Sequence, residues 1–194
     1  AFLHYFDLGP QVRSLNKYLA RTRDGKENTS NLMYFKNEPE IEKSGSINDV
    51  VKTGQQVLVQ VAKEPISTKG PRIGSEISIP GRYLVLVPFS DRVSVSQKIR
   101  DSKERDRLRQ IIQNIKPKNF GVIIRTNSAD KPAADMEKDL TDVLERWKQV
   151  HDNLVNAKPN DRILGELSRT SAILRDVLNS SFNSIHVDDE FVYE

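Results

Sequence analysis

The 194 residues include no cysteine, are 37% hydrophobic and have a mean hydropathy of −0.57. This excludes a disulfide scaffold and a thiolate zinc site, and leaves apolar matter for one or two small cores. No apolar run approaches the ~20 residues that span a bilayer, and nothing near Phe2-Leu3 resembles a secretory leader. No membrane partner is therefore expected, and the cytoplasm is the expected compartment.

The charge is uneven. Residues 56–126 carry 14 Lys/Arg against 6 Asp/Glu, a net of +8, whereas residues 127–194 carry 8 against 14, a net of −6. A basic block beside an acidic one suits a polyanion partner. Solvated helix faces explain residues 98–109 equally well, because Asp101, Glu104 and Asp106 alternate with the bases there.

In chain order, residues 1–8 (AFLHYFDL) read as a strand stopped by Gly9-Pro10. Residues 20–46 are polar and aperiodic and read as a long flexible insertion, with residues 32–35 (LMYF) as loop packing or a small docking patch. Strands are expected at 57–62 and 73–79, joined by the loop 67–72 (STKGPR), and a central strand at 83–87 closed by Pro88. Helices are expected at 102–115, ended by Pro117, and at 133–155, with Met136, Leu140, Val143, Leu144, Trp147, Val150 and Leu154 on one stripe. Between them, 120–126 (FGVIIRT) is a strand. A shorter helix at 167–178 and a strand at 184–187 follow. Asp188-Asp189-Glu190 has the acids of a helix start. A helix opened so near residue 194, and a strand already under way at residue 1, lead us to expect a fragment of a longer protein.

Catalytic signals are sparse. His4, His151 and His186 lie on different elements, and the glycines do not form a nucleotide-binding turn. Two constellations suit RNA instead. Lys63, Lys69 and Arg72 surround a loop that can meet phosphates, and an exposed aromatic such as Phe2 would add a stacking surface. Composition alone favours strand core for Phe2. Arg125-Thr126 ends an apolar strand, and a guanidinium fork beside a hydroxyl suits a phosphate monoester; a capping and turn role is the alternative.

The strings LVQVAKEPISTKGPRIGSEISIPGRYLVLVP, VSVSQKI, FGVIIRT, SAILRDVLN and IHVDDE, in that order over about 57–190, resemble the ribonuclease E/G family, in its shorter ribonuclease G-like form. AFLH at the start matches a more distant block. The resemblance implies an α+β chain: an OB-fold β-barrel RNA-binding domain at 1–80 carrying the insertion 20–46, an α/β 5′-sensor domain at 81–157, and the start of a ribonuclease-H-like segment at 158–194. It implies that Arg125 and Thr126 grip a 5′-monophosphate, with Gly81 and Val85 completing the pocket. Phe2 and Lys69 fall on the family's RNA-binding aromatic and loop lysine. Arg72 belongs to the same basic loop. Gln97-Lys98 stands where some members have two arginines, leaving Lys98 as the backbone contact.

The parent protein is then expected to be a magnesium-dependent, homo-oligomeric endoribonuclease that cuts single-stranded RNA in RNA processing and decay. Its magnesium carboxylates would lie outside this stretch, so these residues are expected to bind RNA without a cofactor and without cutting it. The rival readings are a complete non-catalytic single-stranded RNA-binding protein and a protein-interaction module docking through the Trp147 helix.

Overall fold

A sheet covered on one face needs strands that bury every second side chain. Residues 84–88 meet that demand: Leu84, Leu86 and Pro88 are buried while Val85 and Val87 are half-buried. The computed structural model describes all residues except 1, 28, 43, 166–168, 179–180 and 191–194. In it, β1 (Gln60–Lys63) and β2 (Arg72–Gly74) form an antiparallel pair. A four-stranded sheet follows, from β3 (Ile79–Pro80), β4 (Leu84–Pro88), β5 (Val93–Val95) and β6 (Phe120–Ile124), in the order β3-β4-β6-β5. β4 runs antiparallel to both of its neighbours, and β5 runs parallel to β6.

The helices are α1 (Val12–Arg23), α2 (Ser102–Ile115), α3 (Ala133–Val155) and α4 (Arg169–Val177). Asp101 caps α2 by accepting from the Lys103 amide at 3.0 Å, which satisfies an otherwise unpaired donor of the first turn. Leu108 and Ile112 of α2 and Met136, Leu140, Val143 and Trp147 of α3 are buried against the sheet with Leu84, Leu86, Val122 and Ile124. The chain divides into two units, Ala1–Ile163 and Leu164–Glu194. In the second, Arg175 and Asp176 of α4 form an ion pair at 3.0 Å.

The sheet strands 84–88 and 120–124 and the helices 102–115 and 133–155 follow the sequence pattern. Elsewhere the structure departs from it. Among the described residues 2–8 there is no strand: Tyr5–Asp7 is a 3-10 turn, with His4 Nδ1 accepting the Phe6 amide at 3.2 Å, and Phe2 makes a single bridge, to Arg72. The strand expected at 57–62 is confined to β1. That expected at 73–79 is broken between β2 and β3, because other groups take its backbone bonds. The Gln60 amide donates to Ser78 O at 3.1 Å and accepts from Ser78 N at 2.9 Å, and Ser75 N donates to Asp7 O at 3.0 Å. A side chain that satisfies both backbone groups removes the need for a ladder.

Several of the described residues within 20–46 pack against the rest of the fold. Their first turn completes α1, which the element reading did not anticipate, and Leu32 and Phe35 are buried. Asn119 Nδ2 donates to Leu32 O at 2.7 Å and to Phe35 O at 2.8 Å, and Trp147 Nε1 donates to Ser30 O at 2.9 Å. Loop packing thus holds for Leu32 and Phe35, while Tyr34 is 93% exposed. Tyr18 of α1 joins this core, with its hydroxyl 2.6 Å from His151 Nδ1. Residues 184–187 pair with no strand among the described residues, and the helix expected from Asp188 runs into residues outside them. Mixed α and β structure is present. Among the described residues the strands close no barrel: β1, β2 and the single bridge at Phe2 are all that residues 1–74 contribute beyond the tight bridge between Ile66 and Lys69.

Candidate nucleic-acid interface

β6 is buried along Phe120–Val122 and at Ile124, and of its residues Ile123 alone is exposed, at 43%. The register places Ile123 opposite Val85 on one side and Ser94 on the other. Arg125 follows in the same phase, and its amide extends the ladder by donating to Tyr83 O at 2.8 Å. The result is a partly open apolar sheet face that ends on a guanidinium.

That guanidinium is held. Arg125 Nη1 donates to the Gly81 carbonyl at 2.6 Å. Thr126 opens a 3-10 turn, Thr126–Ser128, and its hydroxyl lies 3.1 Å from that of Ser96, just beyond β5. The Ser96 backbone is fixed in turn, because its amide donates to Ile124 O at 2.9 Å and its carbonyl accepts from Arg105 Nη1 at 2.8 Å. Lys98 is exposed, and its amide approaches Ser96 Oγ at 3.4 Å. Arg125, Thr126, Gly81, Val85 and Lys98 are therefore gathered at one end of the sheet. A guanidinium and two hydroxyls on neighbouring strand ends are residue types suited to charge-assisted anion binding.

The remaining sequence candidates form a second group. Phe2 is 70% exposed and bridges Arg72. Arg72 is not an uncommitted base: its Nε donates to Asp7 Oδ1 at 3.1 Å, and this guanidinium holds the Asp7 carboxyl below the usual aspartate range. Lys69 sits on a tight turn closed by paired backbone bonds with Ile66, at 3.0 and 3.1 Å, with Ser67 at φ +52° between them. Every residue from 61 to 70 is exposed, so Lys69 is presented at a projecting tip. Sequence reasoning missed Phe6, 76% exposed, whose ring stacks on His4 at 5.0 Å between centroids. It also missed Ser96 and Asp139. The FD dipeptide and a lone mid-helix acid carry no signal by themselves.

Among the described residues no group of three or more His, Asp or Glu gathers to hold a metal ion. Nearby carboxylates are engaged: Asp139 accepts three backbone amides, and Glu104 bonds Arg107 at 2.6 and 2.7 Å. No helix among the described residues is long and apolar enough to cross a membrane.

Residues 78–194 match the Ribonuclease E/G family. The chain is similar to Ribonuclease E of Synechocystis sp., 37% identical over 145 residues that cover 75% of this chain and 22% of that protein. It is similar to Ribonuclease G of Escherichia coli strain K12, 33% identical over 148 residues covering 76% and 30%. Ribonuclease G of Haemophilus influenzae is 32% identical over 157 residues, covering 81% and 32%. The chain spans under a third of the length of each of these relatives.

Proposed function

Since the chain belongs to the ribonuclease E/G family, we propose that it is the RNA-binding and 5′-monophosphate-sensing part of a magnesium-dependent endoribonuclease that cuts single-stranded RNA in RNA processing and decay. The single observation that carries this reading is Arg125 fixed on the Gly81 carbonyl at the end of an open apolar sheet face, with Thr126 and Ser96 hydroxyls alongside. A terminal phosphate monoester carries more charge than an internal diester, so a preorganised fork distinguishes the two. Val85 and Ile123 offer the adjoining nucleotide an apolar seat.

Residues 81–157 then act as the sensor and residues 1–80 as the RNA-holding region. There the exposed rings of Phe2 and Phe6 are available for base stacking, and Lys69 for backbone contact. Residues 158–194 begin the ribonuclease-H-like segment. The cleaving carboxylates and their magnesium belong to the rest of the enzyme, which acts as a homo-oligomer.

The test compares binding of one RNA sequence bearing a 5′-monophosphate or a 5′-hydroxyl. The monophosphate form is expected to bind roughly ten- to a hundredfold tighter, the equivalent of about 1.5–3 kcal/mol for a charge-assisted bond. Arg125→Lys should abolish most of that ratio, because an ammonium cannot reproduce the fork. Equal binding of the two RNAs by the unaltered chain would overturn the assignment.

A further inference from the structure

The turn that offers its carbonyl to Arg125 has no long strand to define it, since β3 contributes only two residues. Its shape comes from elsewhere. Asp139, on the buried side of α3 and 8% exposed, accepts the Arg82 amide on Oδ1 at 2.9 Å, and the Tyr83 and Leu84 amides on Oδ2 at 2.9 and 2.8 Å. Three consecutive amides thus converge on one carboxylate. Seven residues along the same helix face, Arg146 Nη1 donates to Pro80 O at 2.8 Å and fixes the other end of the turn. Gly81 N closes the turn on Leu84 O at 2.8 Å.

A second observation, independent of the hydrogen bonds, points the same way. A Cβ on Gly81 would lie 2.5 Å from Asp139 Oδ2 and 2.7 Å from Oδ1. The carboxylate therefore occupies the space a side chain would need, so a side chain at residue 81 would push the Asp139 carboxylate off its three amides.

We propose that Asp139 is the positioning residue of the 5′-phosphate pocket: by gathering the amides of residues 82–84 it aims the Gly81 carbonyl at Arg125 and sets the guanidinium toward the phosphate. This rests on the pocket proposed above. Asp139 touches no RNA. It acts through the turn, and what it controls is the discrimination between RNA ends, not the grip on RNA as a whole.

The experiment measures affinity of the whole chain for 5′-monophosphate and 5′-hydroxyl RNA of one sequence, with thermal melting recorded for every variant. Asp139→Ala is expected to reduce the ratio of the two affinities to within about threefold of unity, leaving 5′-hydroxyl binding within about twofold of the unaltered chain. Asp139→Asn retains one acceptor oxygen for two of the three amides and should keep an intermediate ratio. Gly81→Ala should lose the ratio by itself. Gly81→Ala combined with Asp139→Ala should be no worse than Asp139→Ala alone, since the clash is gone.

If Asp139→Ala does not fold, Asp139→Asn and Gly81→Ala carry the decision. A full ratio in folded Asp139→Asn, or a full ratio in folded Gly81→Ala, overturns the proposal. Should Arg125→Lys abolish the ratio while Asp139→Ala and Asp139→Asn preserve it, the pocket stands and the positioning role falls. Should the unaltered chain show no ratio, the pocket itself falls.

Discussion

Asn119 offers the most direct probe of how the region before β6 is held. It is 4% exposed and adopts φ +64°, the left-handed region that asparagine tolerates better than most side chains. Its Nδ2 serves both Leu32 O and Phe35 O, and its Oδ1 accepts from Asn37 Nδ2 at 3.2 Å. Asn119→Ala removes the donors from two buried carbonyls, at about 1 kcal/mol each or more. It also places a Cβ residue without local compensation in the left-handed region, at about 1 kcal/mol. The sum is about 3 kcal/mol, a fall in melting temperature of roughly 6–12 °C for a chain of this size. Asn119→Gly separates the parts: it loses the same bonds but is free at positive φ, so it should recover about 1 kcal/mol. Urea unfolding of the three proteins, compared at constant m, gives both numbers. The reasoning fails if Asn119→Ala unfolds within 1 kcal/mol of the parent, or if the glycine variant is no better than the alanine one.

Three further outcomes are expected. Single-stranded RNA affinity should fall with salt at a log–log slope of roughly −0.7 per phosphate contacted, and Lys69→Ala should weaken 5′-monophosphate and 5′-hydroxyl RNA alike; a change in their ratio, read by fluorescence anisotropy, would refute a backbone role for the tip. Added magnesium should elicit no cleavage of RNA by this chain, checked on a gel with nuclease-free protein, and any magnesium-dependent product would place carboxylates where we expect none. The Arg107 guanidinium, with the Asp130 amide, holds the Glu104 carboxyl below the usual glutamate range. Its folded pKa is thus lower than its unfolded one, so its contribution is complete above the usual glutamate range and is lost as the pH falls through the folded value. Glu104→Gln should flatten that acid limb of the melting curve, and an unchanged limb would sink the assignment.

Helices α2 and α3 and strands β4 and β6 were legible because a period of 3.6 or 2 runs through each of them without interruption, and one face is buried for its full length. α1 carries such a period too, in Val12, Leu15 and Leu19. Those three residues mark it in a helix made mostly of polar and charged residues, and Gln11 supplies no side-chain cap to announce its start. The break between β2 and β3 was illegible for a different reason. Gln60 reaches across eighteen residues to satisfy Ser78, and a tertiary bond of that kind leaves no local pattern. The Arg125-Thr126 pair could be proposed from strand phase, residue chemistry and the family resemblance, beside the turn role that the two residues take at Thr126–Ser128. Asp139 could not, because its meaning lies in three amides that sit 55 to 57 residues away in sequence.

The antiparallel register of β4 and β6 decides on which face of the sheet Arg125 emerges. Val85 faces Ile123, and Arg125 continues that phase toward solvent. A slip of one residue would turn every β6 side chain over, carrying Arg125 to the helix-covered side and bringing Ile124 out. Half-measures are therefore unavailable: the guanidinium is aimed outward only when the strand is zipped in its single correct alignment. Fraying of β6 would dismantle the proposed phosphate pocket at once, while the loop that carries Lys69, between the strands of a separate two-stranded sheet, would keep its shape.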